Sequence, residues 1–334
     1  MQKRKLGNIE VSEIGIGTMA FSHGYGQIPD EKYSIEAIRI AYEHGCTFFD
    51  TAEVYSPNLQ GIGHNELIVG KALKDVRDKV VIATKLFLKA EEVINGDVYG
   101  AIKKHLLGSM ERLQVKMVDL YYLHRLSDVP LEEIAKAMGQ LIKEGLIRGW
   151  GLSQVEVDSI SKAHKITPVS AVQNLYNILE RDCEDKVIPY CLENNIGVVP
   201  FSPVSSGILS GKITTSTQFE KVDDVRTWLV PQCKKENIIG NQPIVDWVKN
   251  LAQKKGATPA QISLAWMLKK YPNVVPIPGS KNKERIVENL DAHKVCLTDE
   301  ELNEFESELK KLKVYGHRGL HHWNKEMKIM TIGI

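Results

Sequence analysis

The 334-residue chain has no apolar run long enough to cross a bilayer, no excess charge of either sign and no paired cysteines of metal-binding spacing. A spanning helix needs about 20 consecutive apolar residues, so none is expected here. With 43 basic against 42 acidic side chains the formal net charge is +1. That balance supplies neither the broad cationic face that attracts nucleic acid nor a polybasic segment for anionic lipid. Five cysteines, Cys46, Cys183, Cys191, Cys233 and Cys296, are odd in number and show no Cys-x-x-Cys spacing, so they read as reduced structural thiols. No Pro-, Ser- or Gly-rich linker divides the chain and no segment is of low complexity, which favours one domain, 1–334. The opening "MQKRKLGNIEVSEIGIG" lacks the apolar core of a secretory signal. A cytoplasmic protein acting on a small molecule is the expectation; oligomeric state is not written in this composition.

What is present is alternation. Strand-length apolar runs, "EIGIG", "CTFFD", "VVIATK", "VDLYYLH", "IRGWGLS", "AVQ", "GVVPFS" and "VVPIPG", are separated by segments of helical period. Eight helical runs fall between or after them, with conventional punctuation: Asp30 before a start, Pro130 in a first turn, and Gly45, Gly145 and Gly256 just past ends. Apolar strands alternating with helices imply a parallel sheet buried on both faces, and eight such units over a core of about 14–290 suit a closed (β/α)8 TIM barrel. An open doubly wound sheet is the rival. Around Gly7-Asn8 a short hairpin is expected to plug the bottom of the barrel. A long loop, roughly 204–240 after the seventh strand, and an amphipathic helix and tail over 298–334 complete the plan.

Three successive apolar strands end in a polar or ionisable residue: Asp50, Lys85 and His124. In a parallel barrel such ends share one face, and Tyr55, on the loop after Asp50, could reach them. Reduction of a carbonyl by hydride transfer makes an alkoxide that needs a proton. A phenol, with an ordinary pKa of about 10, is a poor donor unless its anion is stabilised. Lys85 as a neighbouring ammonium would stabilise it, Asp50 would hold Lys85 charged, and His124 could hydrogen-bond the substrate oxygen. Glu53, in the same stretch "DTAEVY", has no role in this scheme.

Those residues sit in motifs that resemble the aldo-keto reductases: "DTAEVY", "VVIATK", "LHR" and "GWGLS", then "PFSPVSSGILSGK", "TPAQISLAWML" and "IPGSKNKERIVENL", in that order from about residue 3 to residue 312. The resemblance implies a (β/α)8 barrel that binds NADPH without a Rossmann fold and reduces aldehydes or ketones, with Tyr55 as general acid and Asp50, Lys85 and His124 as its partners. It also implies a cofactor site. Gly17, Thr18, Met19 and Asp50 would line the nicotinamide end, Ser153 and Gln173 would hold the carboxamide, and Phe201 would lie against the ring. The small-residue loop Ser202, Pro203, Leu209, Gly211 and Lys212 can approach a pyrophosphate closely, and Gly279, Ser280, Lys281 and Arg285 lie at a helix start where N–H groups favour anions. Lys281 and Arg285 suggest a 2′-phosphate, hence NADPH over NADH; Glu288 and Asn289 would sit at the adenine. Phe201 stands where many members have tyrosine, and Gln154 and Leu175 replace polar residues that many relatives carry.

Substrate contacts are expected from Phe21, Tyr25, Arg125 and Trp228, together with the loop around Phe219 and the tail near Trp323, which suits an apolar or aromatic carbonyl compound. Two other functions compete with a reductase. One is a nucleotide-sensing subunit of the same fold with little turnover; the other is a metal-dependent barrel hydrolase, for which the strand ends offer Lys85, Ser153 and Gln173 where ligands are needed. No metal site is expected, and the adjacent His321 and His322 lack the further ligands that would complete one. "GIGTMA" matches a dinucleotide fingerprint but does not open into a helix, and "YGAIK", Tyr99 to Lys103, reads as a helix face.

Overall fold

The computed structural model describes residues 1–57, 60–220 and 222–318. His321, His322 and Trp323 lie outside the described residues. Strands β1 (Lys3–Leu6) and β2 (Ile9–Ser12) form the expected antiparallel hairpin, with Leu6 opposite Ile9. Gly7 turns it at φ +58°, a left-handed conformation that glycine adopts without strain.

A second sheet contains seven parallel strands in sequence order: β3 (Ile16–Gly17), β4 (Phe48–Asp50), β5 (Val81–Leu86), β6 (Val118–Leu123), β7 (Ile147–Ser153), β8 (Ala171–Gln173) and β9 (Gly197–Val198). Eight regular strands were the expectation. The eighth run, 274–279, instead makes single bridges to both edges, Val198 with Val274 and Gly17 with Gly279. Its composition explains the difference. The N–H groups of Val275 and Ile277 donate to Val198 and Pro200 of the β9 side at 2.8 and 3.1 Å. The alternate positions, which face β3, are Pro276 and Pro278 and have no N–H to give. On that side the Pro276 carbonyl accepts from Gly15 N–H at 3.0 Å, and Gly17 bridges Gly279.

Between the strands run α1 (Glu31–Glu43), α2 (His64–Leu73), α3 (Val98–Leu113), α4 (Leu131–Lys143), α5 (Val157–Ile166) and α6 (Val187–Glu193); α7 (Lys235–Lys255), α8 (Pro259–Lys270), α9 (Lys283–Leu290) and α10 (Asp299–Leu309) follow β9. Asp30 caps α1, its carboxylate accepting from Tyr33 N–H at 2.8 Å. Two departures stand out. Helix α7 begins at Lys235 with Pro243 inside it, so the long loop ends at 234 rather than near 240 and the proline does not mark the start. Helix α8, absent from the eight helical runs, opens on a Thr258–Gln261 capping box and buries Ile262, Leu264, Trp266 and Met267 on several faces, which blurs its apolar period. Among the described residues, no helix is long and apolar enough to cross a membrane.

Strand alternation sorts the core into two layers. Ile16, Phe49, Ile82, Tyr121, Trp150 and Val172 point outward to the helices. Phe48, Val81, Leu120, Tyr122, Ala171, Val275 and Ile277 point inward, closed from below by Leu6, Ile9 and Val11 of the hairpin. Gly151 pairs with Tyr122 in register, and the phenol ring fills the space where a side chain would stand. A Cβ at Gly151 would run into that ring and come within 2.5 Å of the Ala171 carbonyl oxygen. Gly151→Ala is therefore expected to lower stability by about 1–3 kcal/mol through overpacking; a denaturation midpoint equal to that of the parent chain would contradict this packing.

Candidate active site

The polar ends of β4, β5 and β6 come together on one rim of the sheet. Asp50 Oδ1 forms an ion pair with Lys85 Nζ, and Asp50 Oδ2 accepts from Gln173 Nε2 at 2.8 Å. Lys85 Nζ also donates to the Thr51 carbonyl at 2.7 Å and to Tyr55 Oη at 3.3 Å. Lys85 is fully buried and Asp50 nearly so. Burial raises the Asp50 pKa, with Lys85 and Gln173 opposing. Burial alone would lower that of Lys85, but Asp50 and Tyr55 outweigh it and the net direction is upward. The result is an ammonium held beneath a phenol.

Tyr55 stands between two imidazoles. His124 presents its ring at 5.8 Å, edge-on, and His23 at 5.3 Å. Both are buried. Burial, with the positive neighbours Arg125 and Lys85, holds His124 well below the ordinary histidine range, and burial lowers His23 to about 4. His124 Nδ1 and His23 Nε2 have no hydrogen-bond partner among the described residues. Leaving a lone pair unmatched costs less than stranding an N–H, so the neutral His124 ring is expected to carry its proton on Nε2.

Asn65 ties this rim together. Its Oδ1 accepts from Thr51 Oγ1 at 2.6 Å and lies 2.5 Å from Thr18 Oγ1, while its Nδ2 donates to the Thr18 carbonyl and to Ser22 Oγ at 2.9 and 2.7 Å. Its backbone N–H donates to the Tyr55 carbonyl at 3.0 Å. Three stretches of chain, 18–22, 51–55 and the start of α2, thus meet at one buried amide. Glu53 also acquires a place: Oε1 accepts from Phe87 N–H and Oε2 pairs with His105 Nδ1, at 2.7 and 2.8 Å, bracing the loop after β5 against α3.

The candidate cofactor residues fall on the same rim. Gly17 ends β3, and Thr18 N–H donates to the Asp50 carbonyl at 3.0 Å; Met19 opens a short 3-10 turn. Ser153 Oγ accepts from Arg125 Nη1 at 3.2 Å, which leaves its own proton to offer, whereas the Gln173 amide already serves Asp50. Phe201 bridges to Leu175. In the following loop Ser202, Ser205, Ser206 and Gly207 all have positive φ, between 47° and 100°. The N–H groups of Ser205 and Gly207 are spent within the loop, on the carbonyls of Ser202 and Val204 at 2.9 and 3.0 Å, so its positive-φ residues serve first to fold it tightly. Pro203 lies in this loop; Leu209, expected at the cofactor, is fully buried in the core and has no surface to present, and Gly211 turns at φ +69°.

Lys212 and Glu288 approach to 3.9 Å, and Thr258 Oγ1 donates to Glu288 at 2.9 Å. Asn289 is buried on the same helix. Asn282, not Ser280 or Lys281, caps α9, accepting from Arg285 N–H at 2.8 Å, because those two residues still belong to the connection from Gly279. Lys281 Nζ donates to the carbonyls of Tyr25 and Gln27 at 2.8 and 2.5 Å.

Of the expected substrate contacts, Phe21 is fully buried in the layer between sheet and helices and has no surface to present. Tyr25 Oη reaches Ser206 Oγ at 3.4 Å, and Trp228 is exposed. Among the described residues, no group of three or more His, Cys, Asp or Glu could hold a metal ion. Tyr99 and Lys103 bond each other and Glu144 on the outer face of α3.

A family model for the aldo/keto reductases matches residues 13–310. The chain belongs to the aldo/keto reductase family. It is 35% identical over 354 residues to the probable aldo-keto reductase 1 of Glycine max, covering 99% of both chains. Among solved structures it is similar to a glycerol dehydrogenase from Gluconobacter oxydans, with a TM-score of 0.81 and 29% identity over 93% of this chain and 95% of that one. An aldo-keto reductase from Klebsiella pneumoniae in complex with NADPH matches with a TM-score of 0.72 and 26% identity, covering 96% and 99%. Membership makes the protein an oxidoreductase.

Two residues of this aldo/keto reductase's rim escaped the sequence reading. His23 follows the first strand, as Tyr55 follows the second, and the same rule of searching each strand's exit loop finds it. Asn65 carries no such signal, because a buried asparagine opening a helix looks like a cap.

Acid should weaken the fold through His23. In the unfolded chain His23 would take up a proton near its ordinary value of 6.5, whereas in the fold it does so near 4. The unfolded state therefore binds more protons in that interval, and stability falls as pH drops from about 6.5 toward 4. His23→Gln should flatten that slope by up to one proton, measured as unfolding midpoint against pH; an unchanged slope refutes the burial of a neutral ring. Asn65→Ala strands the buried Thr51 hydroxyl and should cost about 2–4 kcal/mol by denaturant unfolding; a loss below 0.5 kcal/mol, on the order of an exposed substitution, would contradict its role as a tie.

Proposed function

We propose that the protein is an NADPH-dependent reductase of aldehydes or ketones in which Tyr55 delivers the proton. The observation that carries this reading is the buried chain Asp50–Lys85–Tyr55, with Lys85 Nζ 3.3 Å from the phenol oxygen. The cations Lys212, Lys281 and Arg285 suit a dinucleotide phosphate, and Lys281 lines an open cleft together with Tyr33, Glu220 and Asn282. The relative from Klebsiella pneumoniae, solved with NADPH, supports the same cofactor. The bridges that 274–279 makes to both edges support reading the sheet as a closed (β/α)8 barrel in one domain.

When bound, NADPH supplies a hydride to the carbonyl carbon and leaves as NADP⁺. The chain's own residues handle the oxygen. Tyr55 Oη and a neutral His124 N–H would bind it, and as negative charge develops there the Tyr55 proton moves to it, completing the alcohol. Lys85 stabilises the phenolate left behind, and Asp50, fixed by Gln173, keeps Lys85 charged in a site where an unpaired ammonium would otherwise lose its proton. His124 contributes an uncharged donor, which remains neutral across the physiological range because burial and its positive neighbours oppose protonation.

Tyr55→Phe removes the transferable proton and keeps the ring. It is expected to lower kcat/KM by roughly 10²–10⁴-fold, the usual weight of a general acid, while NADPH binding followed by nucleotide fluorescence stays within a few-fold of the parent. NADPH consumption against a panel of aldehydes, ketones and sugars, with NADH in parallel, tests the activity itself. Turnover in Tyr55→Phe equal to that of the parent would overturn the mechanism, and tight NADPH binding with no carbonyl-dependent oxidation would favour the sensing alternative.

A further inference from the structure

Six other arginines of the fold pair with a carboxylate: Arg39 with Asp75, Arg77 and Arg148 with Asp119, Arg112 with Glu66, Arg181 with Glu184 and Arg226 with Asp224. Arg4 instead spends its guanidinium on the three carbonyls of Leu268, Tyr271 and Val274. Arg125 and Arg318 are less fully matched. Arg125 Nη1 donates to the His124 carbonyl at 2.6 Å and to Ser153 Oγ at 3.2 Å, both uncharged. The Arg318 guanidinium lies 5.0 Å over the Phe201 ring, and its Nε is buried without a partner among the described residues. Neither has an ion pair among the described residues. Glu180, the neighbouring carboxylate, accepts from the Arg318 backbone N–H at 2.6 Å and from Gln232 Nε2 at 2.9 Å rather than from the guanidinium.

Position makes this more than a surface curiosity. Arg125 adjoins His124 in sequence and senses the charge of both Tyr55 and Arg318. Burial lowers its pKa to about 10, Tyr55 opposing and the like charge of Arg318 adding to the fall. Arg125 reaches Ser153 at the end of β7 and Arg318 covers Phe201 beyond β9, and cations so placed without a carboxylate are unfavourable unless something anionic completes them. A guanidinium fork matches a carboxylate or phosphate with paired hydrogen bonds, and a group bound here would lie next to the oxygen held by Tyr55 and His124.

We propose that Arg125 and Arg318 form the subsite for an acidic group of the substrate, a carboxylate or a phosphate carried close to the reducible carbonyl. The inference rests on the reading of Tyr55 and His124 as the carbonyl site, and it narrows the substrate class from apolar carbonyl compounds to oxo-acids or phosphorylated aldehydes. The tail thereby contributes to specificity through Arg318.

The test compares matched pairs on the full-length protein with NADPH: butanal against 4-oxobutanoate, and glyceraldehyde against glyceraldehyde 3-phosphate. The parent should favour the anionic member of at least one pair by tenfold or more in kcat/KM; which pair shows it separates carboxylate from phosphate. Arg318→Gln should cut that ratio at least tenfold, chiefly through KM, and Arg318→Lys should restore part of it; Arg125→Gln should act likewise if it folds. Reduction of the neutral aldehydes with no preference for either anion overturns this subsite while leaving the reductase reading intact. Should no carbonyl be reduced, calorimetric binding of butanoate and of inorganic phosphate in the presence of NADP⁺ decides independently, with loss of binding in Arg318→Gln supporting the subsite and no binding to the parent overturning it. An unchanged anionic-to-neutral ratio in Arg318→Gln, with weakened NADPH binding instead, would assign the cation to the cofactor and also overturn the proposal.

Discussion

The buried ion pair between Asp50 and Lys85 is the constraint around which the rim is organised. Two opposite charges withdrawn from water hold each other only if their remaining hydrogen-bonding capacity is met, and here Gln173 and the Thr51 carbonyl meet it. Those partners come from β8 and from the turn after β4, so the pair fixes the relative height of strands that are distant in sequence. Tyr55 takes its position from the same arrangement: its oxygen rests on the Lys85 ammonium, and its backbone is held by Ala52 and Asn65. Removing either charge would leave its partner buried and unmatched, which is why the site and the fold around it stand or fall together.

Much of this was legible beforehand because strand periodicity and strand-end chemistry are local signals. Asp50, Lys85 and His124 each close an apolar run, and a parallel sheet brings such closures to one side. The hairpin around Gly7 and the cap at Asp30 were equally local. What stayed hidden depends on partners. Nothing in "GHNEL" says that Asn65 will gather Thr18, Ser22 and Thr51, since those contacts exist only after three loops meet. Helix α8 was overlooked because a helix buried on several faces loses its stripe, and the start of α7 was displaced because Pro243, a start signal elsewhere, lies inside it. Phe21 illustrates the converse error: an aromatic beside a candidate site was expected to line it, yet the turn that follows β3 directs the ring into the core.

The rim is also electrically uneven. It holds neutral imidazoles and a paired ammonium together with guanidiniums whose partners are a carbonyl, a hydroxyl and an aromatic face. Histidines kept neutral by burial donate without repelling a cation, and so they can coexist with Lys85 and Arg125 within one small region. The chain as a whole is almost electroneutral, which makes this local asymmetry the work of placement rather than composition.

The two prolines of 274–279 have a mechanical consequence for the junction between this run and β3. Because they cannot donate toward β3, the junction there relies on the Gly15 N–H and the close approach of Gly17 to Gly279. It is the seam of the sheet. Both glycines border the expected nucleotide path, so a dinucleotide lying across them would act as a stitch, adding contacts where the backbone ladder is thinnest. Occupancy and closure would then reinforce each other, and the unliganded chain would part first along this line.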